Sequence, residues 1–279
     1  MKKINFTKMH GIGNDFVIID NRPSSFVRDN ALIKKICDRK CGIGCDQLIL
    51  VEESKEKIAD AKIVIFNNDG SEVETCGNAS RCVGQIICDQ QKTDNILIET
   101  AGGLLDVVKL KNNLISVDMG IAKFDWRDIP LSEARTNNNV GIDLQILRGG
   151  FAVNVGNPHI VFFVDNIEMN LEKISKECLG VSKMSLFPKG ININIAEVLN
   201  KKSIKLIIYE RGVGFTDACG SGACATLTAS YKLGYTENDV KVQMRGGELE
   251  IEYMADNHIL MTGPVSKSFD GNFDINHYK

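Results

Sequence analysis

Residues 74–84 read ETCGNASRCVG, and residues 217–225 read DACGSGACA. Each stretch sets a cysteine directly before a glycine and a short run of small residues, at the start of a segment with helical patterning. Cys76 and Cys219 are 143 positions apart, as are Gly77 and Gly220, Asn14 and Asn157, and Asn67 and Glu210. IVIF (63–66) lies over LIIY (206–209) at the same shift, and AGGLLDV (101–107) lies over RGGELEI (245–251) with one residue of slip. Apolar strand matches arise by chance; a cysteine, a Gly-Asn turn and a strand-end polar residue sharing one offset point to an internal duplication. The period is too long for a solenoid repeat. The expected product is two similar α/β halves, a pseudo-twofold pair facing each other across a cleft.

The flanking sequence supports that order. Strands are expected at 3–10 and 16–20 around a GIGN turn, and a short amphipathic helix at 29–39. QLILVE (47–52) and KIVIFN (62–67) are rich in β-branched residues and read as strands. A helix follows at 76–90, then strands at 95–100, 104–110 and 114–120 with turns at Gly102-Gly103 and Asn112-Asn113. In the second half, 151–165 reads as a strand pair around a GNP turn, and 171–180 as a helix closed by glycine. Strands at 191–199 and 204–210, a helix at 219–234 and a final strand series complete it. The polar, Asn-rich stretch 121–150 reads as a linker or long loop. The domains are therefore 1–120 plus 266–279, carrying the first Cys loop, and 121–265, carrying the second.

Bulk properties narrow the function classes. The chain has 279 residues, net charge −3 and 43% hydrophobic residues. That is an ordinary globular composition, with no basic field for nucleic acid. No apolar run reaches the roughly 18–20 residues of a membrane helix. The N-terminal MKKINFTKMHGIGND lacks an apolar signal-peptide region. A cytoplasmic location follows as the expectation, with nine cysteines kept mostly as thiols. Cys37, Cys41 and Cys45 fall four apart in CDRKCGIGC, but no CxxC pair occurs and the histidines do not cluster. They read as small buried hydrophobes, with no metal expected. Cys82, Cys88, Cys178 and Cys224 read as core. GIGNDF resembles half a dinucleotide loop but lacks the third glycine and the long helix behind it.

A cysteine at a helix start sits among backbone N–H groups that have no helical acceptor, in the positive end of the helix dipole. Its thiolate is favoured, and the same N–H groups can hold a carboxylate. Two such starts facing one substrate would put a sulfur on each face of a stereocentre. A thiolate could then remove an α-proton from one face while a thiol returns one to the other, the N–H donors stabilising the developing charge. Each feature has a plainer reading. A helix-start cysteine alone is commonly packing; Asn14 and Asn157 suit turns; His159 after Pro158 is otherwise unremarkable; Glu210-Arg211 could be a strand-end ion pair.

At these residues the sequence resembles the diaminopimelate epimerases. The matching pieces are GIGNDF (11–16), GCDQL (44–48), FNNDGSEVETCGN (66–78), TAGG (100–103), GNPH (156–159), FPKGININ (187–194) and ERGVGFTDACGSGACA (210–225), in order over nearly the whole chain. The resemblance implies an isomerase without cofactor that interconverts LL- and meso-2,6-diaminopimelate in lysine and peptidoglycan precursor synthesis. It implies an α/β (α+β) fold of two pseudo-symmetric domains, each a mainly antiparallel sheet or barrel wrapped around a central helix, and a homodimer. By motif position Cys76 and Cys219 match the acid/base thiols. Gly77, Asn78, Gly220 and Ser221 match the carboxylate-binding loops. Asn14, Gln47, Asn67, Asn157, Asn192, Glu210 and Arg211 match the substrate-binding set, with His159 and Glu210 around the reacting centre. A planar Arg211 guanidinium suits a distal carboxylate. Ala79, in CGNAS, and Phe215, in GVGFT, depart from the usual family pattern. Another amino-acid racemase on the same scaffold, and a thiol redox or metal-binding module, stay open. Two facing thiols could also close into a Cys76–Cys219 disulfide on oxidation.

Overall fold

A computed structural model describes residues 3–278. The chain divides into two units: one runs to Asp118 and resumes at Thr262, and the other spans Met119–Met261.

In the first unit, β1 (Lys3–Gly11) and β2 (Asn14–Asp20) form a hairpin, and α1 (Asn30–Cys37) leads to β3 (Gln47–Glu52). β4 (Ala61–Asn67) and the short β5 (Glu72–Val73) precede α2 (Gly77–Gln91), followed by β6 (Asn95–Thr100), β7 (Gly103–Lys109) and β8 (Leu114–Ile121). β2 pairs parallel with β3, β3 antiparallel with β4, β4 parallel with β6, and β6 antiparallel with β7.

The second unit repeats that scheme. A two-residue pair, β9 (Ile142–Asp143) and β10 (Arg148–Gly149), precedes β11 (Phe151–Asn154), β12 (Pro158–Phe163) and α3 (Ile167–Val181). Then come β13 (Asn192–Asn200), β14 (Ser203–Glu210), β15 (Gly214–Thr216), α4 (Gly220–Lys232), β16 (Asp239–Met244), β17 (Gly247–Tyr253) and β18 (His258–Pro264). β12 pairs parallel with β13, β13 antiparallel with β14, β14 parallel with β16, and β16 antiparallel with β17. The register repeats as well. Ile65 faces Val73, and Ile208 faces Thr216. Ala61 faces Ile98, and Ile204 faces Val242, which carries the one-residue slip seen in the sequence. Duplication is thus written into strand pairing as well as into motifs.

α2 and α4 are each enclosed by their own unit's strands. Every residue from Gly77 to Gly84 is buried, and α4 is buried from Gly222 to Ser230. A helix enclosed all round needs narrow side chains where strands approach. A Cβ at Gly84 would lie 2.5 Å from Val107 Cγ1, and one at Gly222 would lie 2.6 Å from Asn194 Oδ1. The buried hydroxyls of Thr226 and Thr228 donate to carbonyls one turn back, 2.7 and 2.8 Å away.

Four expectations need correction. The 121–150 stretch is not a linker: Ile129, Leu131, Val140, Ile142 and Leu147 are buried in the second unit's core beside α3. Its asparagines fill turns between anchored apolar residues. α3 begins earlier, at Ile167, because Asn166 caps it by accepting from the Met169 N–H at 3.1 Å. It also runs past Gly180, which lies within the helix rather than closing it. A strand at Ser266–Asp274 pairs antiparallel with β1, though its polar sequence gave no apolar alternation. Finally, Cys37 and Cys45 are buried with their sulfurs 3.4 Å apart, but Cys41 is exposed. Gly42 and Gly44 let the chain leave α1 in a tight loop that turns Cys41 outward. Among the described residues no group of three or more His, Cys, Asp or Glu could hold a metal ion. None of their helices is long and apolar enough to cross a membrane.

Candidate active site

Both cysteines of the duplicated motif are helix N-caps with the same backbone. Cys76 has φ −148° and ψ 108°, and Cys219 has φ −142° and ψ 113°. In each case the residue's own carbonyl accepts the first helical hydrogen bond, from Ser80 N at 2.9 Å and from Ala223 N at 3.0 Å. Neither sulfur caps its helix. A cysteine takes this place because an extended N-cap projects its side chain away from the helix axis while the following N–H groups point along it.

In the first unit the Cys76 sulfur lies 3.8 Å from Asn14 Oδ1, which also accepts from Asn78 Nδ2 at 3.3 Å. Asn14 is held in turn by donating to Asp46 Oδ2 at 3.1 Å. Asp46 and Asp15 share Arg39, at 2.7 and 2.6 Å. Burial tends to raise the Asp15 carboxyl pKa. The hydrogen bonds from Arg39 and Lys8 outweigh it and hold the group far below the usual carboxylate range. Gln47 and Asn67 face each other across β3 and β4, with Gln47 Nε2 donating to Asn67 Oδ1 at 3.1 Å. Gln47 Oε1 and Asn78 Oδ1 are buried acceptors with no protein donor.

In the second unit His159 and Asn192 are register partners on parallel strands. His159 is fully buried. Its Nε2 lies 2.8 Å from Asn157 Oδ1 and 3.1 Å from Ser221 Oγ, and its Nδ1 lies 3.0 Å from Asn194 Nδ2. Ser221 Oγ is 3.4 Å from the Cys219 sulfur. Glu210 accepts from Thr216 Oγ1 at 2.6 Å. Asn192 is spent within the protein: it donates to the Pro158 carbonyl at 3.0 Å and accepts from Arg211 N at 3.0 Å. It therefore fixes the backbone that carries Arg211. The exposed Arg211 side chain crosses Gly190, where a Cβ would lie 2.7 Å from Arg211 Cδ, and donates to the Lys189 carbonyl at 3.0 Å.

The expected residues fall into two groups. In the first unit Asn14 and Asn78 link to Cys76, Gly77 follows it, and Gln47 pairs with Asn67; in the second, Asn157, His159 and Ser221 link to Cys219, Gly220 follows it, and Asn192, Glu210 and Arg211 make separate contacts. Sequence reading missed Asp46, Thr216 and Asn194, which hold the others. Asn194 had a usable signal: in GININIAE a polar residue recurs every second position in an otherwise apolar strand. Among the other cysteines, burial pushes Cys82 and Cys178 up to about 12 and so keeps them as thiols.

Burial also drives the His159 pKa down to about 3, against the hydrogen bond from Asn194 and with the help of the Arg211 charge. The folded state thus binds a proton far less readily than the unfolded chain, whose histidine titrates near 6.5. Stability from this residue is complete above that pH and is lost as pH falls through it. Between about pH 7 and pH 5 the loss should be about 2 kcal/mol. Urea unfolding of the parent and of His159→Gln should show a smaller acid loss in the variant by that amount. Equal pH slopes would mean that the ring takes up its proton in the folded protein as readily as in the unfolded chain.

A family model described as diaminopimelate epimerase matches residues 6–124 and 151–268, largely one stretch in each unit. The chain belongs to the diaminopimelate epimerase family. Family relatives include the diaminopimelate epimerase of Erythrobacter litoralis, 44% identical over 99% of both chains. That of Pelagibacter ubique is 42% identical over 93% of this chain and 94% of its own. Among solved structures, a Bacillus anthracis phenazine biosynthesis protein of the PhzF family matches with TM-score 0.69 at 15% identity, over 98% of this chain and all of that one. A hydroxyproline epimerase from Agrobacterium vitis, with bound trans-4-hydroxy-L-proline, matches with TM-score 0.68 at 13% identity, covering 97% of this chain and 92% of its own. At such identities these structures share the duplicated fold. Membership makes the chain an isomerase acting on a small molecule.

Proposed function

We infer that this chain interconverts LL- and meso-2,6-diaminopimelate using Cys76 and Cys219 as its acid and base. The observation that carries the reading is the pair of N-cap cysteines, one per unit, with matching dihedral angles ahead of the two buried helices. Inversion by this route needs one sulfur on each face of the substrate's α-carbon. One thiolate takes the α-proton, the C–H electron pair passes into the carboxylate-stabilised carbanion, and the opposite thiol delivers its proton to the other face. The first-turn N–H groups beginning at Gly77-Asn78 and Gly220-Ser221 bind the reacting carboxylate, and Arg211 takes the distal one. No cofactor is required. The enzyme works in the cytoplasm as a homodimer, in lysine and peptidoglycan precursor synthesis.

The test is incubation of the reduced protein with LL-diaminopimelate in D2O without pyridoxal phosphate, following meso product and α-deuterium together. Deuterium should enter the α-position as the meso isomer appears. Folded protein with titratable thiols that gives neither would overturn the reading. A second reading, another amino-acid racemase, is favoured by the fold shared with a hydroxyproline epimerase. Proline-type substrates lack a second carboxylate, so Arg211→Met would spare activity on them but not on a diamino diacid.

A further inference from the structure

We propose that Asn194 is a positioning residue: by donating to His159 it fixes the direction of the hydrogen bonds that run through Ser221 to the Cys219 sulfur. The chemical consequence rests on the reading of Cys219 as an acid/base thiol; the hydrogen-bond polarity does not.

Asn194 is fully buried, the third residue of β13. Its Nδ2 lies 3.2 Å from the Ile160 carbonyl, which can only accept. That contact identifies this atom as the amide nitrogen. The same nitrogen lies 3.0 Å from His159 Nδ1, so Nδ1 must present a lone pair, and the proton of the neutral ring sits on Nε2. The Nε2–H then points at two oxygens, Asn157 Oδ1 at 2.8 Å and Ser221 Oγ at 3.1 Å, and both accept. Because Ser221 Oγ accepts from the ring, its own hydrogen is left to point elsewhere. The Cys219 sulfur, 3.4 Å away, lies within hydrogen-bonding distance for sulfur.

The serine hydrogen is thereby free to donate to the sulfur. A donor facing sulfur favours thiolate over thiol, because hydrogen bonding to the charged form stabilises it. With the opposite tautomer Ser221 would donate to Nε2 and could only accept from a Cys219 S–H, which favours the thiol. One buried amide thus decides which form of Cys219 its surroundings stabilise. The glycine of CGSG is part of the device: a Cβ at Gly222 would lie 2.6 Å from Asn194 Oδ1. That oxygen is buried without a donor, so the amide is retained for its nitrogen.

The tautomer can be read directly from nitrogen-15 NMR of histidine side chains. The chain has four histidines, and the His159 signals are those lost in His159→Gln. The expected result is a neutral ring protonated at Nε2 from about pH 5 to pH 8; an Nδ1–H ring or an imidazolium over that range overturns the proposal. Asn194→Leu keeps the volume and removes the donor. It should give a mixture of His159 tautomers, slow the iodoacetamide alkylation of Cys219 about tenfold near pH 7.5, followed by peptide mass, and lower kcat more than KM. An unchanged tautomer and alkylation rate would make Asn194 a packing residue only. If Asn194→Leu does not fold, the spectrum of the parent protein decides alone. Neither spectrum nor alkylation needs substrate, so failure of the epimerase reading would leave both interpretable.

Discussion

Cys76→Ala and Cys219→Ala should each lose epimerisation by at least about a thousandfold, the scale of a positioned acid or base removed from a step that depends on it. Inversion needs both faces of the α-carbon. With one thiol gone, a proton can leave and return on the same side, which regenerates the starting isomer. The loss should therefore fall on kcat, since the first-turn N–H groups and Arg211, the proposed substrate-binding groups, are untouched. The helix starts should be kept, because neither sulfur caps its helix, though Cys219→Ala also leaves a small cavity at a buried position. Circular dichroism and urea midpoints measured beside the activity would check this. The control is Cys82→Ala: this cysteine is fully buried in α2 and held as a thiol. It should lose stability through its cavity and keep its turnover per folded molecule. Full epimerase activity in either N-cap variant would end the two-thiol mechanism. Activity lost equally in Cys82→Ala would trace the effect to helix packing.

Much of this arrangement could be read from residue types because the duplication supplies two copies of each signal. A Cys-Gly pair at a helix start is ambiguous once; at a constant offset beside Asn14/Asn157 and IVIF/LIIY it is not. The strands from 47 to 67 and from 192 to 210 show plainly because buried parallel and antiparallel runs leave β-branched residues in sequence. What was hidden depended on contacts distant along the chain. The strand at Ser266–Asp274 is recruited by β1 at the other end of the chain, and its own residues alternate poorly. The apolar anchors of 121–150 are spaced irregularly, so no period reveals that they are core. Asn194 and Asp46 hold other side chains, His159 and Asn14. Nothing local distinguishes them until the strands bring His159 and Asn14 beside them. Cys41 was misplaced because spacing alone cannot say which way a loop turns after the helix that carries its neighbour.

The same dependence on distant contacts gives Asp15 a large part in stability. Lys8 is buried, and its ammonium is held by Asp15 Oδ2 at 2.6 Å and by the Gly44 carbonyl. Asp15→Asn leaves that charge facing a neutral amide, and breaking one side of this part-buried pair should cost about 2 kcal/mol, between the surface and the fully buried cases. The pH dependence has a defined sign. The Asp15 carboxyl is held low in the folded state, so its contribution is present above the unfolded value near 3.9 and is lost as pH falls below that value towards the folded one. The parent should thus lose stability below about pH 4 more steeply than the variant. Lys8→Met on top of Asp15→Asn should recover most of the loss, since an apolar replacement of the whole pair is often neutral. Function should not recover with it. Asp15 also orders Arg39, which holds Asp46, which holds Asn14 beside Cys76. The double variant should therefore be stable yet bind substrate more weakly, seen as a raised KM. Recovery of both stability and KM would show that Asn14 is placed by β2 alone, without the carboxylate cluster behind it.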